Sequence, residues 1–181
     1  MKTSFVSQGW LIVSTAVALS GITGATAWAQ SKETTLRIGM YDSRAIAVAY
    51  CNSAEFGKSM EGITADYKKA KAAKDDKRAK EIDTQMKAQQ RRAHEQGFST
   101  GSVANIMAKV KDSLPAVAKK AGVDVIVSKW EVNYQSSGIK VVDVTDDLVA
   151  LFHVSPKGLE WVKGIKDHAP VPIEQITDDM D

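Results

Sequence analysis

The side chains able to do chemistry are few and scattered. Asp42 and Ser43 stand together, His94, His153 and His168 lie far apart, and Cys51 is the only cysteine among 181 residues. A nucleophile needs a base in reach and a local frame that presents it, and no such motif surrounds Ser43 or Cys51. The histidine spacing fits no zinc pattern of the H-E-x-x-H type. One cysteine excludes an internal disulfide framework and a multi-cysteine metal site. No glycine-rich phosphate loop is present. The expectation is a protein that is not an enzyme and uses no cofactor and no metal. Asp42-Ser43 then reads as a helix cap, Cys51 as a small hydrophobe, and His94 as a group suited to the negative end of its helix.

Composition points the same way. Lys and Arg number 24 against 22 Asp and Glu, a formal net charge of +2, which argues against a dedicated nucleic-acid binder. At 44% hydrophobic and 25% charged, the chain is of the folded globular class, with length for one domain and an extra segment.

The first thirty residues read as an address. Lys2 precedes the apolar stretch Trp10-Leu11-Ile12-Val13 and Ala16-Val17-Ala18-Leu19, and small residues lead to Ala27-Trp28-Ala29. A short apolar run closed by an A-x-A site is the pattern of a secretory signal peptide, here residues 1–29 with the cut after Ala29. Ser14, Thr15, Ser20 and Gly21 break the run, so it falls short of the ~18 uninterrupted apolar residues of a membrane span. The expected location is the periplasm.

The most informative stretch is 54–96. Phe56, Met60, Ile63, Tyr67 and Ala70 are spaced 4, 3, 4 and 3, and Ala79, Ile82, Met86, Gln89 and Ala93 are spaced 3, 4, 3 and 4. Both are heptad seams with charged residues on the other faces. Lys71 to Arg78 is almost wholly polar, and the seam loses phase at Lys74-Asp75-Asp76. The spacing predicts two helices of about 20 residues joined at that charged tip, an antiparallel hairpin roughly 30 Å long, rather than one continuous helix. Asp75-Asp76 would open the second helix at its positive end.

Around this arm the pattern predicts a strand at 36–41, a short helix at 44–50, and a helix face of Val103, Ile106, Met107, Val110, Leu114 and Val117 that Pro115 kinks or splits. Strands follow over 123–129, 131–134 and 139–142. Thr145 is expected to cap a short helix, and Ser155-Pro156 opens another. From Pro170 onward the chain reads as a flexible acidic tail. The layout is α+β, divided as 30–53 (first strand and short helix), 54–96 (hairpin arm), 97–153 (the rest of the body) and 154–181 (C-terminal helix and tail).

The run from Val123 to Leu148 resembles the C-terminal signature of the Skp/OmpH family of periplasmic chaperones. The matching positions are Asp124, Val127, Val132, Tyr134, Ser136, Asp143, Thr145 and Leu148. With the first strand and the heptad region, the resemblance covers roughly 36–152. It implies a small β-rich body through which subunits associate, usually as trimers, and helical arms that hold unfolded outer-membrane proteins without ATP.

Two readings of the arm stay open. Phe56, Met60, Ile63, Tyr67, Ile82 and Met86 either contact clients, for which methionine is well suited, or hold the two arms together. Lys68, Lys69, Lys71, Lys74, Lys77 and Arg78 form a basic surface that either solvates the coiled coil or meets acidic clients and anionic membrane surfaces. Eleven basic against eight acidic residues over 54–96 give +3. Three against nine over 143–181 give −6. The two functions to weigh are an oligomeric holdase for unfolded envelope proteins and an adaptor that docks one folded partner.

Overall fold

A computed structural model describes residues 35–177. The expected signal peptide, 1–29, and the acidic residues Asp178, Asp179 and Asp181 lie outside the described residues. Among the described residues there are seven α-helices and one three-stranded parallel sheet, an α+β arrangement. None of these helices is long and apolar enough to cross a membrane.

The sheet is built on β1 (Arg37–Tyr41), flanked by β2 (Val125–Ser128) and β3 (Lys140–Asp143) in the order β2-β1-β3. Ile38 pairs with Val125 and Val141, and Gly39 with Ile126 and Val142. Side chains alternate across a strand, so Gly39, Tyr41, Ile126 and Val142 face the helical core while Ile38, Met40, Val125, Val127 and Val141 point away from it. Gly39 is where the sheet meets the core most closely: a Cβ there would stand 3.0 Å from Val123 and 3.2 Å from Val144.

The core is organised by α1 (Ser43–Cys51). Its alanine-rich face buries Ala45, Ile46, Ala47 and Ala49, and small residues let neighbouring helices approach. It packs on α6 (Thr145–Val149), α7 (Pro156–Lys166) and the end of the second long helix, with Leu148, Phe152 and Val162 completing the cluster. Asp42 caps α1 as expected, accepting from the Arg44 N–H at 3.0 Å. Ser155 caps α7, accepting from Gly158 at 3.2 Å with Pro156 in the first turn.

The long segment is two helices, not one: α2 (Ala54–Ala72) and α3 (Asp76–Gly97), packed on each other. The break falls at the charged tip, where Lys74 takes a left-handed backbone (φ 55°) and Asp75 caps α3 through the Arg78 N–H at 3.0 Å.

Several expectations are corrected. The body is not β-rich: among the described residues its three strands are short and helices outnumber them. Residues 131–134 form no strand. The outer edges of β2 and β3 carry no further strand among the described residues, but the link between them pairs with neither, and Tyr134 is left 84% exposed. Pro115 splits its helix outright. A short α4 (Ala104–Met107) and a 3₁₀ turn precede α5 (Leu114–Ala121), where Pro115 occupies the first turn that needs no N–H. Gly122 ends α5 in the left-handed region at φ 64°. Thr145 does not cap α6. Its N-cap is Val144, which has no side-chain cap bond; Asp143, one residue earlier, accepts from the Thr145 N–H at 2.8 Å, while the Thr145 hydroxyl accepts from the Asp42 N–H at 3.0 Å. The chain from Pro170 to Thr177 is a strap rather than a loose tail: Val171 donates to the Phe98 carbonyl at 2.8 Å and Ile176 is buried.

Candidate functional site in the helix pair and at its base

Helix α2 starts at Ser53, whose hydroxyl accepts from the Phe56 N–H at 3.2 Å. Its first turn is pinned to the body by Lys109, 2.6 Å from Glu55 and stacked 5.3 Å from the Tyr50 ring. Phe56 meets Tyr50 edge-on at 5.4 Å. Above this anchor the seam residues Phe56, Met60, Ile63, Tyr67 and Ala70 are the only positions of α2 that are not exposed, as their spacing requires.

The six singled-out seam residues divide in two. Ile63, Tyr67, Ile82 and Met86 come together near the tip around the buried Ala70 and Ala79. Phe56 belongs to the base, and Met60 lies between, half-buried and outside the tip cluster. Below the tip a cleft of about 360 Å³ separates the helices, lined by Phe56 and Ile63 on α2 and by Gln85, Gln89 and Arg92 on α3. An apolar wall facing amide and guanidinium groups can take an extended chain that offers both side chains and backbone carbonyls. Lys68, Lys69, Lys71, Lys74, Lys77 and Arg78 are all exposed. Lys71 stands 3.6 Å from Asp76 and Arg78 3.2 Å from Glu81, so part of that charge is offset locally.

A second polar constellation lies at the carboxyl ends of the strands. The Asp42 carboxylate accepts from the Arg44 guanidinium at 2.9 and 3.2 Å and from the Trp130 indole N–H at 3.0 Å, and it pairs with Lys129 at 2.8 Å. Arg44 is itself buried and donates from its other terminal nitrogen to the His168 carbonyl at 2.8 Å. The Trp130 ring takes Arg44 at 5.0 Å and Lys129 at 4.5 Å. Burial alone would raise the Asp42 pKa, but the hydrogen bonds from Arg44, Lys129 and Trp130 and the Arg44 charge outweigh it and hold the carboxyl well below the usual range. A carboxylate this fully engaged has no lone pair left to act as a base. Its work is to tie β1, α1, the link after β2 and the chain beyond α7 together. No local pattern announces this: Arg44 and Trp130 are 86 positions apart (130 − 44), and only the register of β1 with β2 brings them into contact.

The lone candidates stay separate from it. Cys51 is half-buried, and burial pushes its thiol up to about 11, so it is neutral and weakly nucleophilic at ordinary pH. His94 lies in the last turn of α3 with its ring 5.5 Å from Phe98 and its buried Nδ1 unpartnered. Ser43 has a buried hydroxyl without a partner, and His153 is exposed in a left-handed turn at φ 50°. Among the described residues no group of three or more His, Cys, Asp or Glu is placed to hold a metal ion. No protein-family model, no curated protein and no solved structure matches this chain.

Proposed function

We propose that the chain is a non-enzymatic holdase of the bacterial envelope, of the Skp/OmpH kind, in which the α2–α3 pair forms an antiparallel arm that holds unfolded envelope proteins. The observation that carries this reading is the arm itself. Two long helices are held together by a few side chains near the tip, Ile63 among them, and the half-buried Met60 and Phe56 stand below that cluster. A narrow seam that opens easily is what a generic binder of apolar segments needs. The signature positions support the resemblance by having structural work. Asp124 accepts from the Arg37 N–H at 2.9 Å, Asp143 and Thr145 join β3 to α6 and β1, and Leu148 is fully buried.

Self-association, as a trimer by the resemblance, is part of the proposal. Parallel sheets are ordinarily covered on both faces. Here Ile38, Met40, Val125, Val127 and Val141 face away from the core, with Val125 40% and Val141 39% exposed. A second copy would supply the missing layer. Val141→Lys is expected to yield folded monomers by sedimentation. An unchanged oligomer would remove the sheet face from the account.

The function is tested by diluting a urea-unfolded outer-membrane β-barrel protein into buffer with the purified protein and following light scattering. Suppression near stoichiometric amounts without nucleotide is expected. Unchanged aggregation in the presence of well-folded protein would refute the holdase reading. It would favour the adaptor, which the arm length supports: helices of 19 and 22 residues reach only about 30 Å and enclose little volume.

A further inference from the structure

Where α1, the last turn of α3 and α7 meet, there is an apolar groove of about 410 Å³. Ala47, Ala93, Gly97 and Gly164 line it, and their small side chains create the space. The rings of Phe98 and Trp161 border it, 37% and 55% exposed. The volume falls in the ~300–1,000 Å³ range of small-molecule sites, and nearly all of the lining is apolar. Lys157 is not part of the lining but lies one turn ahead of Trp161 on α7: its ammonium is 5.6 Å from the centre of the Trp161 ring and forms no ion pair among the described residues.

We propose that this groove binds a free single-chain fatty acid, with its hydrocarbon chain along the apolar lining and its carboxylate at Lys157. The lining decides between ligand classes. Asn52, His94 and His168 are the polar residues of the lining, and they expose little polar surface. A peptide laid in the groove would bury an N–H and a C=O at nearly every residue, far more groups than these three can pair, and each unpaired group is costly. An alkyl chain buries no such group, and every methylene taken from water favours binding. The volume suits one chain rather than the two of a membrane phospholipid. The carboxylate needs one cation, which the Lys157 ammonium over the Trp161 ring can supply. The site is separate from the cleft between α2 and α3 and does not depend on the holdase reading.

The test is titration of the purified full-length protein with cis-parinaric acid, read by its fluorescence, with displacement by dodecanoate or by dodecan-1-ol. Gly164→Leu is the decisive variant. A Cβ at 164 meets nothing within 4 Å, so the longer side chain enters the groove while replacing a helix-interior glycine, and the melting temperature should hold or rise. Gly62→Leu, on α2 and equally open, is the control. Saturable binding is expected, displaced better by dodecanoate than by dodecan-1-ol, weakened about tenfold or more by Gly164→Leu and unaffected by Gly62→Leu. Lys157→Gln should weaken it roughly threefold. Absence of saturable binding, equal binding by Gly164→Leu, or equal displacement by the alcohol would each overturn the proposal. So would Gly164-dependent capture by phosphatidylglycerol vesicles that dodecanoate does not compete away, since the ligand would then be a membrane lipid.

Discussion

The body and the helix pair are built from the same chain by opposite means. In the body, one nine-residue helix, α1, buries six of its residues and carries the Asp42–Arg44 pair inward with it. In the pair, the longer α2 buries only Ala70, and α3 buries only Ala79 and Ile82 away from its end at the body. Helices owe most of their stability in water to packed faces rather than to length. The pair is therefore the region that should open first, and the body the region that should define global unfolding. The proposed holdase would gain from that division, since the helix pair could part and reclose on a client while the body stays folded.

The division predicts its own largest breach. Asp42→Ala leaves the Arg44 guanidinium buried without its carboxylate, and losing one partner of a buried ion pair costs about 3–5 kcal/mol, on the order of 10 °C in Tm for a chain of this size. A loss below about 1 kcal/mol by thermal or urea denaturation would mean that the network does not hold the body together. The same carboxyl sets an acid limit. Its folded pKa is held below the unfolded value of about 3.9, so its contribution is complete above that pH and is lost as pH falls beneath it. Urea midpoints should drop below pH 4 in the wild type and much less in Asp42→Ala.

A change in the other region should behave differently. Ile82→Ala removes the centre of the tip cluster, and a loss of about 2 kcal/mol should appear as roughly 30-fold faster amide exchange in α2 and α3. Exchange in α1 and α6 should be unmoved. Equal acceleration in both regions would merge them into one cooperative unit. Asp75→Ala, which removes the α3 cap, should act in the same place with about 1 kcal/mol. Smallest of all, replacing Lys68, Lys69 and Lys74 by Gln should alter stability by no more than about 0.5 kcal/mol. A loss of client binding with stability unchanged would assign those side chains to recognition rather than to solvation.

The two regions were also unequally legible in the sequence. The seam of α2 was written in its spacing, since a helix that packs along one narrow stripe repeats that stripe locally, and every position the spacing named is one the fold withdraws from solvent. The break at Lys74-Asp75 was legible for the same reason. The polar network was not, because its members come from the ends of β1 and β2, the start of α6 and the chain after α7. Asp42 was readable as a cap, whereas the burial of Arg44 depends on strand order. Residues 131–134 misled because alternation over four residues says nothing about whether the segment is laid along a neighbouring strand. The acidic composition near the C-terminus hid the single buried side chain, Ile176, that holds the strap down. The groove beside α7 was invisible because three helices contribute small residues to it, and small residues carry no periodic signal of their own.

The central claim, that clients are held by the arm and not by the body, is most directly tested by hydrogen exchange on the purified protein with and without a urea-unfolded outer-membrane β-barrel protein. Added protection confined to residues 54–97, with α1, α6 and the sheet unchanged, is the result the account predicts. Protection confined to the body, or no change anywhere, would contradict it.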